Sequence, residues 1–468
     1  MNKYIVGLDI GTTKIACFIG EGLPNGKIRI AGFGKTDSVG VERGVVKNII
    51  DTANSIRHAV QDAAEMAKCE VDEVYVGIAG QHIKSRPNQG SVMIPDDHHH
   101  IEKSDVERLI DDQRRIMLNP GEEIIHVFPQ TYEVDGEELG IDIDPVGVNG
   151  KRLSANFHIV TGQVSNIRNI RDAVLEAGLK IKGVVLEPIA SAFAVLDDTD
   201  KTAGVTLVDI GGGTTDIAIF YDGIIRYTNV LPLAGDVITN DIKNSCKIMR
   251  NQAECLKVKF GSCLPSAVNQ DDIISIPGVR NQPPREVSVK TLATLVRART
   301  EMLLEQVGYE IEKSGCVDNL IAGVVLTGGG AKMQHIKEFA ELILGIDCRI
   351  GTPDEHVDQS SSVTFEDLSH PMYATGIGLV IYGLNEARNE AEEARDAEAK
   401  AEHKAETKVE EPVAEPVIEI VQPEEQPQNE PETSARKKNA AKQGKGTNLG
   451  SKIATWLTEK FTDKGLDE

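Results

Sequence analysis

Apolar residues gather around two glycine turns that lie far apart in the chain but read alike. Tyr4-Ile-Val-Gly-Leu-Asp leads into Gly11-Thr-Thr and on into Lys14-Ile-Ala-Cys-Phe-Ile, and Gly204-Val-Thr-Leu-Val-Asp-Ile leads into Gly211-Gly-Gly-Thr-Thr-Asp and on into Ile217-Ala-Ile-Phe. Short apolar runs on either side of a glycine turn predict a strand, a turn and a returning strand. The echo between the two predicts two related halves facing each other. Helical periodicity follows the first unit at 51–67 (Ala53, Ile56, Val60, Ala63, Ala67) and precedes the second at 166–177 (Ile167, Ile170, Ala173, Val174, Ala177). A third helical stretch, 288–313, leads to an apolar strand Ile321-Ala-Gly-Val-Val-Leu and a third glycine turn, Thr327-Gly-Gly-Gly-Ala. Strands and helices therefore alternate along an α/β body.

Between the two units an insertion over about 83–163 has its own pattern. Strands are expected at Ser91-Val-Met-Ile, 124–134 and 156–161, with a helix near 104–118 capped by Ser104 and boxed by Glu107. After Leu384 the pattern dissolves. Residues 386–432 hold 16 acidic against 5 basic side chains, about half of the chain's formal net charge of −23. Residues 386–408 have the composition of an exposed helix, and 386–448 as a whole reads as a disordered or partly helical tether, because it has too little apolar surface to offset its ordering entropy. Beyond it, Leu449, Ile453, Trp456, Leu457 and Phe461 form one apolar stripe at helical spacing, with Lys452 beside it and Arg436, Lys437, Lys438, Lys442 and Lys445 upstream. Such a stripe is marginal in water and gains stability on an anionic bilayer. A helix docking on the protein's own core or on a partner would use the same pattern.

The acidic balance argues against sequence-independent nucleic-acid binding. Seven scattered cysteines without a C-x-x-C pair suit a reducing compartment and are expected as buried thiols. With no signal-peptide pattern and no 18-residue apolar run, the expectation is a cytoplasmic protein that does not span a membrane. The run His98-His-His100 reads as an exposed loop, since three adjacent histidines cannot share one helix face and no cysteine completes a zinc site.

The chemistry lies in the three turns. Glycine lets backbone N–H groups face an anion with no Cβ in the way, while Thr12, Thr13, Thr214, Thr215 and Lys14 add donors and charge. Asp9 and Asp209 each stand two residues before a turn. They read either as strand-end turn residues or as paired carboxylates holding Mg²⁺ largely through its waters, the ion in turn neutralising phosphates.

The pattern resembles the phosphate-1, phosphate-2 and adenosine signatures of the actin, DnaK-type chaperone and sugar kinase superfamily. Leu186-Glu-Pro-Ile-Ala-Ser-Ala-Phe-Ala resembles that superfamily's first connecting helix and Met372-Tyr-Ala-Thr-Gly-Ile-Gly-Leu its second. The resemblance implies ATP and Mg²⁺ held by Asp9, Gly11, Thr12, Thr13, Lys14, Asp209, Gly211, Gly212, Gly213, Thr214, Thr215, Gly235 and Asp236, with Gly328, Gly329 and Gly330 at the adenosine. It also implies that Glu187 positions the metal or the attacking water, although Glu before Pro equally marks a helix start. Gln252-Ala-Glu-Cys-Leu-Lys-Val resembles the adenosine-contacting helix, which would put Glu254 and Lys257 at the ribose and adenine; their spacing also suits an ion pair.

Within the superfamily, residues 1–385 resemble the bacterial cell-division family FtsA. Ile124-Ile-His-Val-Phe-Pro-Gln-Thr-Tyr-Glu-Val, Asp144-Pro-Val-Gly-Val-Asn-Gly and Phe157-His-Ile-Val-Thr-Gly resemble that family's extra subdomain, and Leu231-Pro-Leu-Ala-Gly-Asp its version of the adjoining turn. The implied division is 1–82 with 164–203 as lobe 1, 83–163 as the inserted subdomain, 204–235 with 315–385 as lobe 2, 236–314 as its accessory subdomain, 386–448 as linker and 449–463 as the membrane-targeting helix. The resemblance implies a protein that tethers FtsZ filaments to anionic inner-membrane lipids on the cytoplasmic face at the septum, self-associates into actin-like protofilaments, meets other divisome proteins, and hydrolyses ATP slowly at most. The FtsZ C-terminal peptide is expected on 236–314, with Arg299 of Val296-Arg-Ala-Arg-Thr carried over as a contact. Two other readings of the same fold are a phosphotransferase or chaperone-type ATPase, and a shape-determining or pilus-assembly scaffold. The first lacks a substrate domain, while the insertion and the tail argue against the second.

Overall fold

A computed structural model describes residues 4–95, 100–140, 143–278, 283–361, 363 and 368–407. The two glycine-turn hairpins are present, and each opens a five-stranded sheet of the same topology. In lobe 1, Ile28–Asp37, Lys14–Gly22 and Ile5–Ile10 run antiparallel to one another, then Glu73–Ile78 and Lys180–Leu186 add in parallel. In lobe 2, Ile224–Leu231, Thr215–Tyr221 and Val205–Ile210 form the antiparallel part, followed in parallel by Val324–Thr327 and Cys348–Ile350. The internal duplication read from the sequence is thus a duplicated sheet. The third strand starts later than its apolar run implied, because Gly323, with φ of 69°, turns the chain after Ile321 and Ala322.

Helix Ile49–Ala67 lies on the lobe 1 sheet with Ala53, Ile56, Ala59, Val60 and Ala63 buried. Its approach is set by Gly34 and Gly32, where a side chain would run into the Ala59 and Ala63 carbonyls. Asn48 caps the helix by accepting the Asp51 N–H at 3.2 Å. The two lobes are joined by helix Glu187–Val195 and the long helix Ala374–Thr407, which cross so closely that a Cβ on Gly378 would overlap the Ala190 carbonyl. The helicity of 386–408 was not decidable from composition. Residues to Thr407 continue the second connecting helix, and Glu386 and Asn389 are buried, with Tyr382 Oη donating to Glu386 Oε1 at 2.7 Å.

The insertion forms an antiparallel sheet ordered Lys84–Met93, Arg152–Gln163, Glu122–Val134, Glu137–Glu138, with a helix on one face. That helix spans Lys103–Arg114 and is capped two residues earlier than expected: Glu102 is the N-cap in place of Ser104, and its N–H donates to Asp105 Oδ2 at 2.9 Å, so Asp105 takes the box role assigned to Glu107. The insertion reaches across to the edge strand of lobe 2. Ser85 Oγ donates to the Thr228 carbonyl at 2.8 Å, Gln130 Nε2 to the Ile225 carbonyl at 2.7 Å, and His158 Nε2 lies 2.9 Å from Thr228 Oγ1. Each of three apolar clusters, in lobe 1, lobe 2 and the insertion, contains a fully buried phenylalanine: Phe18, Phe339 and Phe157.

All seven cysteines are free, but the buried-thiol expectation holds only for Cys17, Cys263 and Cys348: Cys69, Cys246 and Cys316 are half-buried, and Cys255 is exposed because helix Arg250–Phe260 packs through Ala253 and Leu256 on its other side. No described helix is long and apolar enough to cross a membrane. The linker beyond Thr407, the apolar stripe from Leu449 to Phe461 with Lys452, and His98 and His99 lie outside the described residues.

Because the connecting helices touch backbone to backbone, Gly378→Val should destabilise the protein by on the order of 3 kcal/mol, read as a lower urea midpoint at unchanged slope. A midpoint equal to that of the unsubstituted protein would show that the crossing tolerates separation.

Candidate functional site

Strand Ile5–Ile10 delivers Asp9, and strand Val205–Ile210 delivers Asp209, to the base of their turns. Both carboxylates are buried. Lys14 Nζ lies 3.0 Å from Asp9 Oδ2; burial works against its charge, yet Asp9 and then Asp209 hold the ammonium above its ordinary range. Asp209 Oδ2 accepts from Ser191 Oγ at 2.6 Å and from Thr375 Oγ1 at 3.2 Å, so one carboxylate is bonded to both connecting helices. Burial pushes the Asp209 carboxyl up, and the Asp9 charge adds to it. Neither Ser191 nor Thr375 stands out in the sequence, although both lie inside segments that resemble the superfamily's connecting helices.

A third carboxylate, which no sequence motif singles out, lies beside them. Asp216, at the end of the second turn, sits directly across the ladder from Asp209. Its Oδ2 accepts from Thr214 Oγ1 at 3.1 Å, while its Oδ1 is buried without a partner. Burial first, and the Asp209 charge second, raise this carboxyl well above the usual range. Glu187 completes the group: it opens helix Glu187–Val195 with Pro188 beside it, as the helix-start reading required, and it is also buried among these acids. Burial and then the Asp9, Asp216 and Asp209 charges push its carboxyl well above the usual range. Strand register explains the Asp209–Asp216 part of the gathering, since cross-strand partners share one sheet face.

The turns converge on this acidic floor. A Cβ on Gly212 would overlap Thr13 Oγ1, and one on Gly213 would overlap Thr12 Oγ1, so the two turns meet tip to tip. In the third turn Gly328, with φ of 82°, lies against Asp209, where any Cβ would strike Oδ1, and Gly330 rests on Ile210. Gly329 has no neighbour within 4 Å of a Cβ position. Gly235 and Asp236 start the helix Gly235–Cys246, and their N–H groups donate to the Gly211 and Gly212 carbonyls at 3.1 and 2.7 Å. Thr215 Oγ1 donates to the Leu233 carbonyl at 2.7 Å, which pins the end of the turn to the same segment.

Glu254 and Lys257 pair at 2.9 Å, the ion pair their spacing allowed, and Lys257 Nζ also reaches the Gly235 carbonyl at 3.1 Å. They are therefore placed against the second turn rather than on a remote surface. Arg299 lies elsewhere, on helix Val289–Ser314, with Nε 2.7 Å from Asp241 Oδ2.

Hard carboxylate oxygens and the orphaned Asp216 Oδ1 suit Mg²⁺. Among the described residues no group of three or more acidic, histidine or cysteine side chains converges closely enough to cage a metal directly. Mg²⁺ takes only one or two protein carboxylates and keeps several waters, a demand that this donor set can meet. The insertion supports this floor from outside: the Leu186 N–H, immediately before Glu187, donates to His126 Nε2 at 3.2 Å, which requires that nitrogen to be unprotonated. Burial lowers His126 to about 4, consistent with a neutral ring. Phe128 stacks with both His126 and His158.

Two duplicated sheets, two crossing connecting helices and three glycine turns over paired aspartates define an actin-like protein. A solved structure titled "PilM-PilN type IV pilus biogenesis complex" matches with a TM-score of 0.59 at 16% identity, covering 81% of this chain and 98% of that one. A structure of MreB5 of Spiroplasma citri bound to ADP matches with a TM-score of 0.50 at 13% identity over 81% and 96%. Family profiles match Cell division protein FtsA at residues 206–378, the SHS2 domain inserted in FtsA at 80–161 and Hsp70 protein at 165–229. Cell division protein FtsA of Pseudomonas aeruginosa is 40% identical over 82% of this chain and 90% of its own length, and that of Escherichia coli K12 is 34% identical over 81% and 90%. The chain belongs to the FtsA family of cell-division proteins.

The folded-state value of Asp216 lies above its unfolded value of 3.8, so its contribution is fully favourable below 3.8 and is lost as pH rises. Without nucleotide or metal, Asp216→Asn should therefore melt above the unsubstituted protein near about pH 8, with the gap narrowing toward about pH 5. A gap that stays constant with pH would remove the repulsion assigned to this carboxyl.

Proposed function

We propose that this cell-division protein binds ATP with Mg²⁺ in the cleft between its lobes, and that the nucleotide regulates its assembly at a membrane. The observation carrying the cleft assignment is the meeting of the two glycine turns over buried Asp9 and Asp209. In this reading Gly11, Thr12, Thr13 and Lys14 of one turn, with Gly211, Gly212, Gly213, Thr214 and Thr215 of the other, surround the phosphates. Bound Mg²⁺ supplies positive charge between the carboxylates and the phosphate oxygens. Asp9 and Asp209 hold it through water, and Glu187 orients a water or the ion. Glu254, Lys257, Gly235, Asp236 and the 328–330 turn flank the nucleoside.

The remaining roles follow from the family and the tail sequence. The chain self-associates into actin-like protofilaments, receives the FtsZ C-terminal peptide near Arg299, joins other divisome proteins, and tethers FtsZ filaments to the cytoplasmic membrane face at the septum. Leu449, Ile453, Trp456, Leu457 and Phe461 enter the bilayer surface while Lys452 and the upstream basic run meet anionic headgroups. A weak anchor of this kind holds through avidity once subunits are linked in a polymer.

Asp209→Ala should weaken Mg²⁺-dependent ATP binding at least about tenfold, a loss of ~1.4 kcal/mol in calorimetric titration. Unchanged affinity would overturn the cleft assignment. Trp456 is the single tryptophan, so its emission reports on the anchor without labelling. Anionic vesicles should blue-shift it, and changing Ile453 and Phe461 to Glu should abolish the shift; an equal shift in that variant would overturn membrane insertion of the stripe.

A further inference from the structure

The tip of a small hairpin touches both phosphate turns. Strands Val41–Glu42 and Val45–Val46 pair with Arg43 and Gly44 as the two loop residues. Both have positive φ, 49° at Arg43 and 71° at Gly44. A two-residue loop of this form favours Asn, Asp or Gly at its first position, so arginine there is a poor choice for the backbone. Gly44 donates its N–H to Thr12 Oγ1 at 3.0 Å, and the Arg43 Cα lies 2.8 Å from where a Cβ of Gly213 would stand. An unfavourable residue is thus held where the two turns meet.

Charge matching gives that residue a task. Near the turns, Lys14 is paired with Asp9, Lys257 with Glu254, and Arg250 with Asp236 at 2.8 Å. Asp9, Asp209, Asp216 and Glu187 make the floor acidic. Among the described residues Arg43 is exposed and carries no ion pair. The second turn also has two sides: the Gly211 and Gly212 carbonyls bind the Gly235–Cys246 helix, beside which Lys257 sits, whereas Gly213 faces Arg43. A nucleotide with its adenosine toward Lys257 would run its phosphate chain toward Arg43.

From the seat of Arg43 at the junction of the two glycine turns, we propose that it binds the outermost phosphate of a nucleoside triphosphate. It thereby favours triphosphate over diphosphate. The inference rests on the cleft reading above and adds a residue and a selectivity to it. Arginine suits the task because its fork meets phosphate oxygens bidentately.

The test is calorimetric titration of the full chain with Mg²⁺-ATP and Mg²⁺-ADP, for the unsubstituted protein, Arg43→Asn and Arg43→Lys, with ligand-free melting of each. Asn fits the hairpin loop better than Arg, so Arg43→Asn should melt no lower than the unsubstituted protein yet bind ATP about tenfold more weakly, with a smaller loss for ADP. Arg43→Lys should fall between. If the unsubstituted protein binds neither nucleotide, the cleft reading fails and this inference with it. If it binds both and Arg43→Asn keeps the same ATP affinity, or loses ATP and ADP equally, the role of Arg43 alone is overturned.

Discussion

A buried carboxylate cannot stay ionised in a protein interior unless hydrogen bonds replace its water, and Asp209 obtains two of them from helices remote from one another in the chain. Ser191 comes from the first connecting helix and Thr375 from the second. Satisfying one anionic group therefore fixes both helices against the base of the second turn. Gly378 permits the approach by letting the second helix lie on the Ala190 carbonyl, and Gly7 lets strand Ile5–Ile10 approach the same helix near Gly376. The cleft, its floor and the junction of the lobes all depend on this meeting.

Around Asp209 the architecture accepts electrostatic conflict. Four carboxyl groups share a floor with a single lysine, and burial together with the neighbouring acids pushes the Glu187 and Asp216 carboxyls well above their usual range. Burial and mutual repulsion make this conflict costly, and the glycine turns converge directly on the floor that carries it. The third turn closes over it at Gly328, so the site draws on every segment of the duplicated core.

The inserted subdomain is tied into the same arrangement. His126 accepts the N–H just ahead of Glu187, while Ser85, Gln130 and His158 reach the edge strand of lobe 2. The insertion thus touches both the helix that carries part of the floor and the opposite lobe, with Phe128 stacked between its two histidines. Its attitude is coupled to the arrangement of the lobes through short, directional contacts. An appended surface would have offered only packing.

Local pattern was enough for the repeated strand–turn–strand units, the helices flanking them, the glycine turns and the first two aspartates, because each of these is dictated by residues adjacent in the chain. The apolar stripe and basic run of the tail are likewise legible, being properties of spacing and charge. Tertiary structure decided what adjacency cannot express. Asp216 became a site residue through its ladder partner Asp209, Ser191 and Thr375 through a carboxylate they meet only on folding, and His126 through one backbone N–H. The cap of the insertion's helix moved to Glu102 because backbone geometry chose among several polar candidates in a row. Sequence determined which groups stand at the glycine turns; the crossing of two distant helices decided which side chains gather beneath them, since hydrogen bonding and burial act on neighbours in space.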